Sequence, residues 1–241
     1  MCIAGGAING LTINLDASAN RTPRRAATRN VRAHEHLFFE GDARDCLYVV
    51  ETGWVKLYRT LVDGQRQIVG FANTGSVLGL ESDGEHSNGC EAITDVTVRS
   101  IPLARVTEIC LRDANLADQL LRQVGRQLGA AQEQLAAVGT QSAEQKLANF
   151  LLTIADLCGA ARGGEFDLPM RRGDMAEFLG LRLETVSRKM TEFQRRGWIS
   201  MTSLYHCRII RRDVLQELAL GGETDEVEQI HRVRQPASAA A

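Results

Sequence analysis

Glu184, Ser187 and Arg188 stand at i, i+3 and i+4 in the stretch FLGLRLETVSRKM, a spacing that sets three side chains on one face of a helix. Together they offer a carboxylate, a hydroxyl and a planar guanidinium fork. Such groups read base-pair edges: Arg bonds guanine O6 and N7 together, Glu accepts from cytosine N4, and Ser adapts to either kind of partner. A Glu–Arg pair four residues apart is equally at home on a plain solvated helix, so its surroundings decide. From Arg182 to Arg212 eight basic residues (Arg182, Arg188, Lys189, Arg195, Arg196, Arg208, Arg211, Arg212) meet two acidic ones, Glu184 and Glu192. That is a net of +6 inside a chain of 241 residues whose net charge is −2. A basic segment in a nearly neutral chain is the electrostatic footprint of a phosphate-binding surface. Arg171, Arg182, Thr185 and Lys189 are the candidate contacts to a nucleic-acid backbone.

Other chemistry finds little material. The six cysteines (Cys2, Cys46, Cys90, Cys110, Cys158, Cys207) include no CxxC pair, and the closest two are 20 residues apart. A zinc or iron–sulfur site needs tighter groups of ligands, and a disulfide framework needs an oxidising compartment. Six scattered small hydrophobes are the simpler reading. The sequence contains no GxSxG, HExxH or P-loop pattern, so catalysis has no visible centre. The expectation is a protein that is not an enzyme and holds no cofactor or metal. His34 and His36 flank Glu35 and are expected on one strand face, where a haem or metal role stays open beside that of ordinary exposed strand histidines.

Several elements must position the Glu184 face. Met175, Ala176, Leu179 and Leu181 bracket a short helix that breaks at Gly180, where glycine frees the chain for a sharp turn between crossed helices. The second helix starts near Leu183 and stops at Gly197, a C-cap glycine. Its buried face is Val186, Met190 and Phe193. Trp198–Ser200 and Arg208–Ile210 are expected to pair as a β-hairpin wing. In a helix-turn-helix the first turns of the second helix enter the major groove, and Glu184, Ser187 and Arg188 occupy those turns. Upstream, Ser142 and Gln145 form a capping box for a helix ending at Gly159.

Before that lies a seam. Ala117, Val124, Ala131 and Val138 are seven apart, and Leu121, Leu128 and Leu135 repeat between them. This is the a/d pattern of a coiled coil, and Leu121, Val124, Leu128, Ala131, Leu135 and Val138 are the candidate dimer contacts. One face of an ordinary core helix is the alternative. From His34 to Ile101 short apolar runs alternate with turn residues, among them Asp63-Gly64, a hairpin signal; a barrel or roll follows. The organisation expected is a flexible basic arm (1–30), a β-roll (31–110), a dimerisation helix (111–139), a winged helix-turn-helix domain (140–220) and a flexible tail (221–241). No apolar run approaches the length of a membrane span, and the first residues lack the charge order of a signal peptide. A cytoplasmic protein without membrane association is the default.

The stretches GDARDCLYVVETGWVKLYR and FLGLRLETVSRKMTEFQRRGWI, with the long helix between them, resemble the CRP/FNR family of bacterial transcription regulators over about Phe38 to Leu218. The resemblance implies an α+β protein: an N-terminal cyclic-nucleotide-binding-like β-roll, a long dimerisation helix and a C-terminal winged helix-turn-helix. It also implies a homodimer on double-stranded DNA that works with RNA polymerase, as an activator. Glu184-x-x-Ser187-Arg188 is the pattern of the FNR and FixK branches, whose half-site is TTGAT in an inverted repeat. By resemblance Arg188 contacts the half-site guanine, Glu184 the opposing cytosine and Ser187 a thymine region.

The sensor residues of the family are missing. Val77 lies where cyclic-nucleotide binders carry a glutamate for the ribose, and His86 or Ser87 where they carry an Arg-Ser pair for the phosphate. The arm holds Cys2 alone, and Arg99 lies near the position of the roll cysteine in oxygen-sensing FNR proteins, so four thiolates cannot easily be gathered for a cluster. The FixK-like branch, which lacks both sensors, fits best and implies control of microaerobic, nitrogen-fixation or denitrification genes. A haem- or other ligand-gated regulator of the same family is the alternative.

Overall fold

In a computed structural model the chain is described at residues 27–80, 84–115, 141–160 and 164–222, with scattered positions between 117 and 129. It divides into two compact units that meet in sequence between Leu135 and Ala136.

The first unit is built from short strands. These are β1 (Ala27–Val31), β2 (His36–Phe38), β3 (Cys46–Thr52), β4 (Trp54–Thr60), β5 (Arg66–Asn73), β6 (Val77–Leu78), β7 (Gly89–Ala92) and β8 (Val96–Pro102). They form two four-stranded antiparallel sheets, ordered β1-β8-β3-β6 and β2-β7-β4-β5. Side chains alternate across a strand, so Val50 and Val98 from one sheet meet Val55, Leu57, Cys90 and Ala92 from the other in a single buried cluster. This is the expected roll. Gly53, between β3 and β4, has φ +87°, and a Cβ there would strike the Asp95 carbonyl at 2.2 Å. Only glycine closes that turn. The Asp63-Gly64 hairpin forms as expected, with Leu61 N–H donating to the Gln65 carbonyl at 2.8 Å.

Two expectations change. Residues 27–30, expected in the flexible arm, belong to β1, which pairs with β8 from Ala27↔Ser100 to Val31↔Val96. Four of its five side chains are exposed, so it is held through the backbone and leaves no hydropathy pattern. His34 and His36 do not share a strand face: His34 sits in a turn at φ 70°, and only His36 is in β2. Both still reach one carboxylate, His34 Nδ1 at 3.8 Å and His36 Nε2 at 3.7 Å from Glu91, which also pairs with Lys56 at 3.2 Å and Arg66 at 3.4 Å.

α1 (Leu103–Arg112) follows β8. Beyond it, the described positions between 114 and 129 are helical. Leu120 packs with Val106 and Ile109 against the apolar cluster of Leu47, Val49, Val77 and Ile101. Leu121 and Val124 point elsewhere and are 71% and 44% exposed. Leu128, Ala131, Leu135 and Val138 lie outside the described residues.

The second unit runs α2 (Ala143–Leu157), β9 (Glu165–Asp167), α3 (Arg172–Leu179), α4 (Leu183–Arg195), β10 (Ile199–Met201), β11 (His206–Ile209) and α5 (Arg212–Ala219). The capping box is present: Ser142 Oγ accepts from the Gln145 N–H at 3.3 Å, and the Gln145 side chain accepts from the Ser142 N–H at 2.8 Å. α2 packs against α4 and α5, and α3 against α4. The antiparallel sheet β10-β11-β9 closes the unit.

Candidate nucleic-acid interface

α3 ends at Gly180, whose φ of 63° and ψ of 40° lie in the left-handed region. An L side chain there costs roughly 1–2 kcal/mol, and glycine lets α4 start three residues later on a new axis. Asp174 holds the other end of α3 by accepting from the Arg171 N–H at 3.0 Å. α4 is then fixed by Val186, Met190 and Phe193, all buried, each contributing about 1.5–3 kcal/mol of apolar burial. Phe193 also meets Trp198, ring centroids 5.1 Å apart.

Burying that face turns the opposite one to solvent. Glu184, Ser187 and Arg188 are exposed, and Thr191 and Arg195 continue their stripe at i+7 and i+11 from Glu184. Thr191 and Arg195 fall outside the set expected from the sequence, although the helical spacing that groups the first three also reaches them. Arg182, at the N-cap, is exposed, Thr185 is half-buried, and Arg171 is exposed at the N-cap of α3.

The fold divides the cations of the basic segment into two sets. Arg208 pairs with Glu165 at 2.8 Å, Arg211 with Asp213 at 3.0 Å, Arg212 with Asp156 at 2.6 Å and Arg196 with Glu192 at 3.0 Å. Lys189 pairs with Glu144 and, at 2.8 Å, with Glu192. Its side chain is 17% exposed and lies beside the buried row, away from the Glu184 face. Arg182, Arg188 and Arg195 carry no ion pair among the described residues. The segment's net of +6 is thus trimmed by acids from other elements, and the uncompensated charge falls on the outer side of α4, as a helix presented to phosphate and base edges requires.

The Lys189 cluster shifts its own titrations. Burial alone would push the Glu144 carboxyl up, but the hydrogen bond and charge of Lys189 hold it below its ordinary value. Glu192 is also held down, first by the Lys189 hydrogen bond and further by Arg196. For Lys189, burial favours the neutral amine, and the two carboxylates outweigh it and raise its pKa.

After α4 the chain turns at Gly197 and forms the wing. Ile199–Met201 pairs with Cys207–Ile209, and Leu204 and Tyr205 stand exposed at its tip.

In the roll, Val77 is buried on β6, and His86 is buried with its ring stacked on Phe38 at 3.7 Å between centroids. A ribose hydroxyl would meet an apolar side chain at the first position, and a cyclic phosphate an imidazole packed on an aromatic ring at the second. These residues do not fit a cyclic nucleotide held by a carboxylate and a guanidinium. Arg99 is paired with Glu51 at 3.2 Å.

Two helices crossed at a glycine turn, a following β-hairpin, and an exposed stripe carrying arginine define a winged helix-turn-helix DNA-binding unit joined to a β-roll. Residues 28–113 match the cyclic nucleotide-binding domain family, and residues 145–218 match the Crp-like helix-turn-helix domain. The chain is 36% identical over 197 residues to the nitrogen fixation regulation protein FixK of Rhizobium meliloti (strain 1021), covering 81% of this chain and 88% of that one. It is 30% identical over 194 residues to the fumarate and nitrate reduction regulatory protein of Escherichia coli (strain K12), covering 78% and 77%. The solved structure of FixK2 from Bradyrhizobium japonicum matches with a TM-score of 0.76 at 30% identity, over 83% of this chain and 100% of that one. The chain therefore belongs to the CRP/FNR family, and it is a DNA-binding transcription regulator.

Proposed function

We propose that two copies of the protein bind a TTGAT-type inverted repeat and activate transcription with RNA polymerase, in the cytoplasm, without a resident cofactor. Arg188 reads the half-site guanine, Glu184 the opposing cytosine and Ser187 the thymine region. Arg182, Arg171 and Thr185 hold the backbone. The observation that carries this reading is the division of charge on α4: its exposed stripe keeps Arg188 and Arg195 clear of ion pairs among the described residues, while the cations behind it are bound to acids of the same unit. Similarity to the nitrogen fixation regulation protein of Rhizobium meliloti supports nitrogen-fixation genes as the targets. The seam from Ala117 to Val138 provides the dimer contact, and exposure of Leu121 and Val124 supports it.

The test is a titration of the purified protein against a duplex carrying the inverted repeat and another with the G·C pair of each half-site replaced. Preference for the intact repeat, with one dimer bound, is the expected result. Equal affinity for both would remove base reading from α4.

A further inference from the structure

The sequence places Lys189 beside Arg188, where it reads as one more cation for phosphate. The fold uses it otherwise. Its ammonium is held between Glu192, one turn along α4 at 2.8 Å, and Glu144, in the first turn of α2. Glu192 in turn holds Arg196 through Nε at 3.2 Å and Nη2 at 3.0 Å, and Arg196 lies over the Trp198 ring at 5.2 Å. The chain Glu144–Lys189–Glu192–Arg196–Trp198 therefore runs from the start of α2, along the back of α4, to the wing. Lys189, Glu192 and Arg196 are only partly exposed, so solvent screens the pairs less than it would at an open surface. The Glu144 end adjoins the Ser142–Gln145 capping box at the start of α2.

We propose that Lys189 is a positioning residue for DNA reading: by joining α4 to the first turn of α2 it fixes the angle at which Glu184, Ser187 and Arg188 are presented, and it does not contact phosphate. The proposal rests on the reading of α4 given above. Apolar burial of Val186, Met190 and Phe193 sets which face of α4 turns inward, but hydrophobic contact is non-directional and does not by itself lock the tilt of α4 against α2. A charge-assisted hydrogen bond to a fixed carboxylate supplies the missing direction.

A phosphate ligand and an internal strut respond oppositely to removal of the Glu144 carboxylate. If Lys189 served phosphate, Glu144→Gln would free the cation, remove a nearby negative charge and tighten DNA binding. If Lys189 is a strut, Glu144→Gln weakens specific binding as Lys189→Met does, and the double variant is no worse than either single one. The full-length variants are titrated against the intact and G·C-replaced repeats over a range of salt concentrations, with circular dichroism confirming that each is folded at the assay temperature. The expected result is about a tenfold loss for each variant on the intact repeat, within the coupling range of residues in one ion-pair network. Little change is expected on the replaced repeat, and none in the salt slope. A salt slope shallower by about 0.9 for every phosphate that Lys189 had neutralised, or a tightening by Glu144→Gln, overturns the proposal in favour of direct phosphate binding. Folded variants that bind both duplexes as the wild type does overturn it in favour of stability alone. Wild-type protein that fails to distinguish the duplexes refutes the reading of α4 itself, which separates that failure from failure of the strut.

Discussion

Arg188 and Lys189 are neighbours in sequence and point to different environments, one to solvent with no ion pair among the described residues, the other into two carboxylates. Arg188→Ala is expected to cost about 1–3 kcal/mol per half-site and to flatten preference at the G·C pair, because alanine cannot make the two hydrogen bonds to guanine. Arg188→Lys should restore little, since an ammonium cannot reproduce the planar fork. Competition titrations with the intact and replaced half-sites measure both effects; an equal loss on the two sites would make Arg188 a phosphate clamp. Of the cysteines of the second unit, Cys207 is buried and Cys158 partly so. Burial raises Cys207 to about 12 and Cys158 to about 11, so little thiolate exists near neutral pH. Mass spectrometry after iodoacetamide at pH 8 should find both unmodified in the native protein and modified after unfolding. Native labelling at Cys207 would contradict its burial in β11.

Among the elements, the α2–α4 pair carries a pH signature. Glu144 and Glu192 both titrate below their ordinary value in the fold. A carboxylate with a depressed folded pKa contributes stability that is fully present above the unfolded pKa, about 4.3, and is lost as pH falls through the lower folded value. The second unit should therefore lose stability on acidification below about pH 4.3, and Glu144→Gln should reduce the acid-side slope of its denaturation midpoint. An unchanged slope would mean that the pair contributes nothing to folding. In the β-roll, Val77 and the Phe38-stacked His86 leave no built site for a ribose and a cyclic phosphate. A ligand shifts an equilibrium only as far as its affinities for the two states differ. Saturating cyclic AMP is accordingly expected to leave operator affinity unchanged, and a tighter titration in its presence would refute the placement of Val77 and His86.

At the scale of the whole molecule, the exposed pair Leu121 and Val124 is the contact proposed between two copies. Leu120 turns toward the roll and packs there, while its neighbour Leu121 is 71% exposed. An apolar row left uncovered beside a packed one, on a heptad repeat, fits a second copy of the same helix. In that arrangement Leu121→Asp would bury a carboxylate against its symmetry mate, at a cost of several kcal/mol. Analytical ultracentrifugation should then show monomer, and affinity for the two-half-site repeat should collapse while single half-site binding persists. A dimer of normal affinity would remove the seam as the contact.

The features that the sequence determined alone are those set by local stereochemistry and period: the capping box at Ser142, the glycine turn at Gly180, the buried row Val186–Met190–Phe193, the hairpin at Asp63-Gly64 and the stripe Glu184–Ser187–Arg188. Each depends on residues within a turn or two of one another, so spacing suffices to find it. The tertiary structure decided what depends on distant partners. β1 is held by backbone pairing to β8 and has no apolar pattern to betray it. His34 and His36 meet at Glu91 because β2 and β7 lie side by side, not because the two share a strand. Above all, the eight basic residues from Arg182 to Arg212 look equivalent in sequence. Only packing shows that Glu144, Asp156, Glu165 and Asp213 neutralise half of them, because opposite charges are felt through space and the acids lie outside the segment.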